Sequence, residues 1–172
     1  MKERPIIFSA PMVRAILDGR KTQTRRVFKD TPEDFDDDLH PFVRWKDDRL
    51  HRAACPYGKA GDQLWVRETF STDADNGEYI FKADGEAVTG GRWAPSIHMP
   101  RKASRITLEI TAIRVDRLQD ISEEDAEAEG CLSDGDECGR VRYSILWDEI
   151  NGDGAWEKNQ WVWVIEFKRV KT

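Results

Sequence analysis

The stretch Ile106-Thr107-Leu108-Glu109-Ile110-Thr111-Ala112-Ile113-Arg114-Val115 decides the fold. Ile106, Leu108 and Ile110 alternate strictly with polar residues, the pattern of a strand with one buried face. Ile113 and Val115 resume the alternation one position out of step. In an unbroken strand that slip would turn the apolar set to the opposite face. A β-bulge near Thr111-Ala112 restores the register and bends the strand. The pattern predicts one long bent strand, and such bends are how small barrels close.

Outward from this strand, Ser122 is a good N-cap, with Glu123, Glu124 and Asp125 in the first turn, where the helix dipole favours anions. That helix should stop at Gly130, and a second one is expected over Val141 to Ile150, ended by Asn151-Gly152. Trp161 to Val170 opens on five residues apolar on both faces, the mark of a strand covered on both sides. Towards the N-terminus, Ile6 to Phe8 reads as a short strand. Ser9-Ala10-Pro11 then starts a helix whose apolar face is Met12, Val13, Ile16 and Leu17. Gly19 is placed to end it in a left-handed cap, so that Lys21 to Arg26 leaves as a turn or strand. Leu64 to Phe70 and Tyr79 to Ala83 are further strand candidates, Trp65 and Arg67 sharing a face, and a Gly-rich turn follows through Gly90 and Gly91. Asp30 to Arg52 is an acidic, weakly periodic excursion expected to fold over a site, and Pro95 and Pro100 rule out a long regular element over Trp93 to Arg101. The sum is one α+β domain over residues 1–172, built on a curved sheet.

The chain's 172 residues suit a single core, and 39% hydrophobic residues, with seven Trp and seven Phe, supply it. The mean hydropathy of −0.69 and a longest apolar run of only Trp161 to Ile165 give no membrane span. The start, charged at Lys2, Glu3 and Arg4, does not resemble a secretory leader. Cys55, Cys131 and Cys138 are a poor disulfide framework, and with His40, His51 and His98 they show no zinc-type ligand spacing. The expectation is a cytoplasmic protein with reduced thiols, no metal and no cofactor. A net charge of −6 argues against a general nucleic-acid coat, whose affinity scales with phosphates neutralised. The charge is uneven, however, with bases concentrated at Arg20 to Arg26 and Arg92 to Arg105. A basic rim on an acidic body suits a small anionic ligand or a short nucleic-acid stretch.

Four cations, Arg20, Lys21, Arg25 and Arg26, stand within seven residues, so each raises the cost of protonating Lys21. Such a lysine can serve as a base, and Thr24 is a hydroxyl that needs one to become a nucleophile. In a plain strand, positions 21 and 24 face opposite ways, so the pair requires a turn. A solvated strand edge is the plainer reading of the same residues. Glu129 falls in the last turn of its helix, where the dipole disfavours a carboxylate and a cation would offset the cost. Glu123, Glu124, Asp125 and Glu127 read as solvated. Glu68 ends a buried strand and must be paired, with Arg67, a cation of residues 20–26 or a ligand amine as candidates. Trp93, beside Arg92 in a loop, can stack a base or cover a core.

The succession of a helix, Gly19-Arg20-Lys21-Thr22-Gln23-Thr24-Arg25-Arg26, Gly61-Asp62-Gln63-Leu64-Trp65-Val66-Arg67-Glu68 and a final Val164-Ile165-Glu166-Phe167 strand resembles an ASCH domain. The wording around Cys55-Pro56-Tyr57-Gly58, Pro95-Ser96-Ile97-His98-Met99-Pro100-Arg101 and Leu118 to Ala126 resembles ASCH proteins of phage and prophage. The resemblance implies a PUA-like mixed β-barrel with flanking helices. It extends to the small YqfB-type amidohydrolases, which remove the acetyl group of N4-acetylcytidine. Their catalytic Lys and Thr match Lys21 and Thr24, and their Glu context matches Ser122 to Glu129, giving Glu129 as the third member. Arg20, Arg26 and Arg67 would be oxyanion or substrate contacts, with Glu68 and Trp93 beside them. This chain is longer than those enzymes, with insertions around residues 30–60 and 72–105. The implied activity is hydrolysis of an N4-acylated cytosine nucleoside. The alternative is a non-catalytic reader of RNA or a modified base in the same cleft, and a ribonuclease is a weaker third because no His pair accompanies the cations.

Overall fold

The computed structural model describes residues 1–28, 43–46, 49–52, 54–72, 77–85, 92–133, 135 and 137–170, with 43–46 and 49–52 described by their backbone alone. The elements run β1 (Glu3–Ile7), α1 (Ala10–Leu17), β2 (Gln23–Val27), β3 (Val43–Lys46), β4 (Arg49–Arg52), β5 (Gln63–Arg67), β6 (Phe70–Thr72), β7 (Tyr79–Phe81), β8 (Thr107–Arg117), α2 (Glu123–Ala128), α3 (Gly139–Asn151) and β9 (Trp161–Arg169). Short 3-10 turns at Lys82–Asp84, Ser96–His98, Arg101–Ala103 and Leu118–Asp120 join them.

Five strands form the main sheet in the order β1-β5-β8-β9-β2. β1 and β5 are parallel, and the other neighbours are antiparallel. The long strand expected from the sequence is β8, and its pairing with β9 shifts register between Ile110 and Ala112, where the alternation breaks. The extra residue lets Ile110 and Val115 both reach the core, at 1% and 5% exposure. β9 is covered on both faces because Val162 and Val164 pack under the helices while Trp163, Ile165 and Phe167 pack inside the sheet. Each fully buried aliphatic side chain here contributes about 2 kcal/mol of transfer free energy.

The sheet curls until its two edges approach one another. Arg26 on β2 donates from Nη2 to the Ile7 carbonyl of β1 at 2.6 Å, and the Phe8 and Phe167 rings lie 6.2 Å apart inside the curl. Among the described residues the Arg26 side chain bridges these edges. The larger core fills the curl, and a second one packs α2 and α3 against the outer face of β9.

Much of the acidic excursion expected over Asp30 to Arg52 lies outside the described residues, as does the Gly90–Gly91 turn; within the excursion, β3 and β4 pair as an antiparallel hairpin. Among the described residues no helix is long and apolar enough to cross a membrane.

Candidate active site

The turn that delivers Lys21 is set by the end of α1. Gly19 takes φ +77, as expected of a left-handed cap, and the Arg20 and Lys21 amides both donate to the Ala15 carbonyl, at 2.9 and 3.0 Å. The Thr22 amide then donates to the Ala128 carbonyl at 2.8 Å, and the Thr22 carbonyl accepts from Phe167. The segment is thereby clamped between the last turn of α2 and β9. On the α2 side, Ser122 caps the N-terminus by accepting from the Asp125 amide, and Gly130 ends the helix at φ +92. A Cβ on Gly130 would come 3.3 Å from Ala15 Cβ and 3.6 Å from Lys21 Cβ, so the absence of a side chain permits this close approach.

The clamp brings Glu129 onto Lys21. Lys21 Nζ donates to Glu129 Oε2 at 2.6 Å and to the Glu129 carbonyl at 2.8 Å, and their side chains are 0% and 2% exposed. Burial pulls the Lys21 amine below its ordinary value, and the Glu129 carboxylate opposes that shift without cancelling it. Arg25, also fully buried, reaches Glu129 Oε1 at 3.4 Å and bonds Asp125 Oδ2 at 2.6 Å. Asp125 passes the network to Arg114, which also holds Gln23, Asp116 and Glu166. The solvated role expected for Asp125 is therefore corrected. Despite the cost of burial, Arg25 and Arg114 hold its carboxyl below the ordinary range.

Thr24 lies inside β2, opposite Ile165, so Lys21 and Thr24 do not share a turn as the sequence reading required. Lys21 instead precedes the strand, where alternation does not constrain its direction. The Thr24 hydroxyl has no hydrogen-bond partner among the described residues. Thr24 and Glu129 line one cavity of about 380 Å³, together with Phe8, Met12, Arg25, Arg26, Thr69, Ser96, Tyr143, Leu146 and Trp147. Its walls are mainly apolar and aromatic with a few polar groups, the usual make-up of a small-molecule site. A larger cavity of about 750 Å³ near Lys2, Cys55 and Asp62 contains none of the expected catalytic residues.

The remaining expected residues separate. Arg26 lines the Thr24 cavity with its guanidinium 5.2 Å from the Phe8 centroid, Lys21 Nζ lying 5.7 Å from the same ring. Arg20 lies outside this cavity, bonded to Asp18 at 2.8 Å. Arg67 packs 5.5 Å from the Trp65 ring and does not line the cavity. Glu68 is 1% exposed and held by both arms of Arg105, at 3.0 and 3.1 Å, a partner that sequence reading missed. Trp93 is half-buried and does not line the cavity.

Four site residues went unseen in the sequence. Tyr143 and Trp147 come from α3, four residues apart, a spacing that signals a helix face but not what it covers. Burial, then the nearby Glu129 charge, hold the Tyr143 hydroxyl well above its ordinary value, so it remains a proton-bearing donor. Thr69 and Ser96 close the far wall. Among the described residues no group of three or more His, Cys, Asp or Glu converges as a metal site would require.

No family model matches the chain, and no curated protein matches it. Two solved structures do. The ASCH domain from Lactobacillus crispatus JV V101 superposes with a TM-score of 0.51 at 13% identity, over 98% of this chain and 79% of that one. Protein EF3133 from Enterococcus faecalis V583, of the family DUF984, gives 0.48 at 10% identity, over 99% and 81% of the two chains. The chain has the α+β fold of an ASCH domain.

Proposed function

We propose that this protein is an amidohydrolase that cleaves the exocyclic amide of an N4-acylated cytosine nucleoside such as N4-acetylcytidine. The observation that carries the reading is a fully buried Lys21–Glu129 pair abutting a cavity that Thr24 and Glu129 line together. The likeness of Gly19 to Arg26 to the YqfB-type enzymes supplies the choice of substrate.

The chemistry needs a neutral amine and a hydroxyl. Burial favours the unprotonated Lys21, which takes the Thr24 Oγ1 proton as that oxygen attacks the acyl carbonyl. Lys21 then returns the proton to the N4 atom, cytidine leaves, and a water activated in the same way releases the acid from the Thr24 ester. Glu129 holds the amine through Oε2, while Arg25 holds Oε1. Arg26, on the cavity wall and not engaged by Glu129 or Asp125 as Arg25 is, faces the developing oxyanion.

The second reading, a binding module that holds a modified base without turning it over, is favoured by the aromatic wall of Phe8, Tyr143 and Trp147. One experiment separates the two. Wild type, Lys21→Met and Thr24→Val are incubated with N4-acetylcytidine, following cytidine and acetate. Release by wild type alone supports the enzyme. An inert wild type that binds the nucleoside leaves the binding module.

A further inference from the structure

The Thr24 cavity has a neighbour. A recess of about 390 Å³ is lined by Arg20, Gly130, Cys131, Leu132, Arg142 and Leu146. Leu146 lines both spaces, and the consecutive residues Glu129 and Gly130 line one each. The two spaces therefore adjoin at the end of α2 and at Leu146 of α3.

Two arginines from parts of the chain far apart, Arg20 and Arg142, line this recess. Arg142 donates from Nη1 to the Leu132 carbonyl at 2.9 Å, which fixes its head at the rim. Arg20 is held by Asp18, whose carboxylate is 57% exposed and gives way to water readily. On a chain with a net charge of −6, a pair of arginines beside the candidate site is not the background composition. Burial holds the Cys131 thiol above its ordinary value. Arginine is suited to phosphate because its planar fork matches two oxygens at once.

We propose that this recess is a phosphate subsite, taking the phosphate ester on the ribose of a substrate whose base enters the Thr24 cavity. The substrate class is then a phosphorylated N4-acylated cytidine, either a free nucleotide or a residue of a short strand, rather than the bare nucleoside. The identity of the base rests on the hydrolase reading, whereas the phosphate contact does not. Arg20, expected from the sequence beside the reacting carbonyl, serves instead on the far side of Gly130.

The test is calorimetric titration of wild type and Arg20→Ala/Arg142→Ala with cytidine, cytidine 5′-monophosphate and a short cytidine-containing single strand. It is run beside kcat/KM on N4-acetylcytidine and its 5′-monophosphate. The expected result is about tenfold tighter binding of a phosphorylated ligand over cytidine, lost in the double variant while cytidine affinity holds. Whether the monophosphate or the strand gains more identifies the source of the phosphate. Equal affinities in wild type, or a preference that survives the double variant, would overturn the subsite. If the double variant does not fold, Arg20→Ala, at an exposed position, carries the test, with a loss of about threefold expected and none overturning the proposal. Arginine-dependent phosphate preference without hydrolysis retains the subsite and removes the hydrolase. Hydrolysis without phosphate preference does the reverse.

Discussion

Glu68 and Glu129 are both buried carboxylates, 1% and 3% exposed, yet their surroundings do opposite things. Glu68 is gripped by both arms of Arg105, which also bonds both oxygens of Asp84 at 2.8 Å and lies 4.0 Å over the Phe81 ring. Every strong bond in that cluster is satisfied internally, and it ties β5 to the turn after β7. Glu129 is held at 2.6 Å by a lysine, while the arginine beside it stands off at 3.4 Å and spends its short bond on Asp125. A forked arginine pair is fixed in geometry and cannot give up its proton. A buried lysine can, and the carboxylate that holds this one lines an open cavity. The comparison separates two buried pairs by the identity of the cation, an arginine that keeps its proton and a lysine able to give one up.

The sharpest way to break this contrast is to remove chemistry at one cluster and cohesion at the other. Lys21→Met leaves only Arg25, at 3.4 Å, beside the buried Glu129, so it should cost more stability than Arg105→Met while cytidine release per folded molecule falls about a thousandfold. Thr24→Val should lower the rate as far with the fold kept, circular dichroism and initial rates being the joint measure. Arg105→Met should act in the reverse way. Glu68 then stands buried without its cation, and about 2 kcal/mol of stability is lost in urea unfolding, less than for a wholly buried pair because Arg105 is 28% exposed. Turnover per folded molecule should not change. Adding Glu68→Gln to Arg105→Met should recover most of the stability.

pH sharpens the contrast further. Burial lowers the Lys21 pKa, so the rising limb of kcat should fall below the free-lysine value of 10.5. Burial raises the Glu68 pKa against the pull of Arg105. The folded state then keeps that proton longer than the unfolded chain. Its contribution is complete below the ordinary value of 4.5 and is lost as pH rises through the folded pKa. Glu68→Gln should remove that loss from the plot of urea midpoint against pH. The smallest effect belongs to the cap of α2. Ser122→Ala should cost about 1 kcal/mol and leave the rate on N4-acetylcytidine within a few-fold of wild type, since Lys21 and Arg25 hold Glu129 independently.

Much of this was legible residue by residue. The apolar alternation of Ile106 to Val115 determined a bent strand and located its bulge, because register on a half-buried strand is dictated by which face must leave water. Gly19 and Ser122 determined where two helices end and begin, because the backbone geometry there favours those residue types. Lys21, Thr24 and Glu129 were nameable as a set through the resemblance of their motifs, but what Lys21 touches was not. Tertiary structure alone decided that Glu129 rather than Thr24 holds the lysine, at a separation of 108 residues. It also decided that Arg105 rather than Arg67 holds Glu68, that Asp125 is a bridge rather than a solvated charge, and that Tyr143 and Trp147 wall the cavity. The physical reason is common to all four. Local pattern reports which residues leave water, because that cost is paid by each segment separately, whereas the partner of a buried charge depends on which distant segment the sheet's curl brings against it.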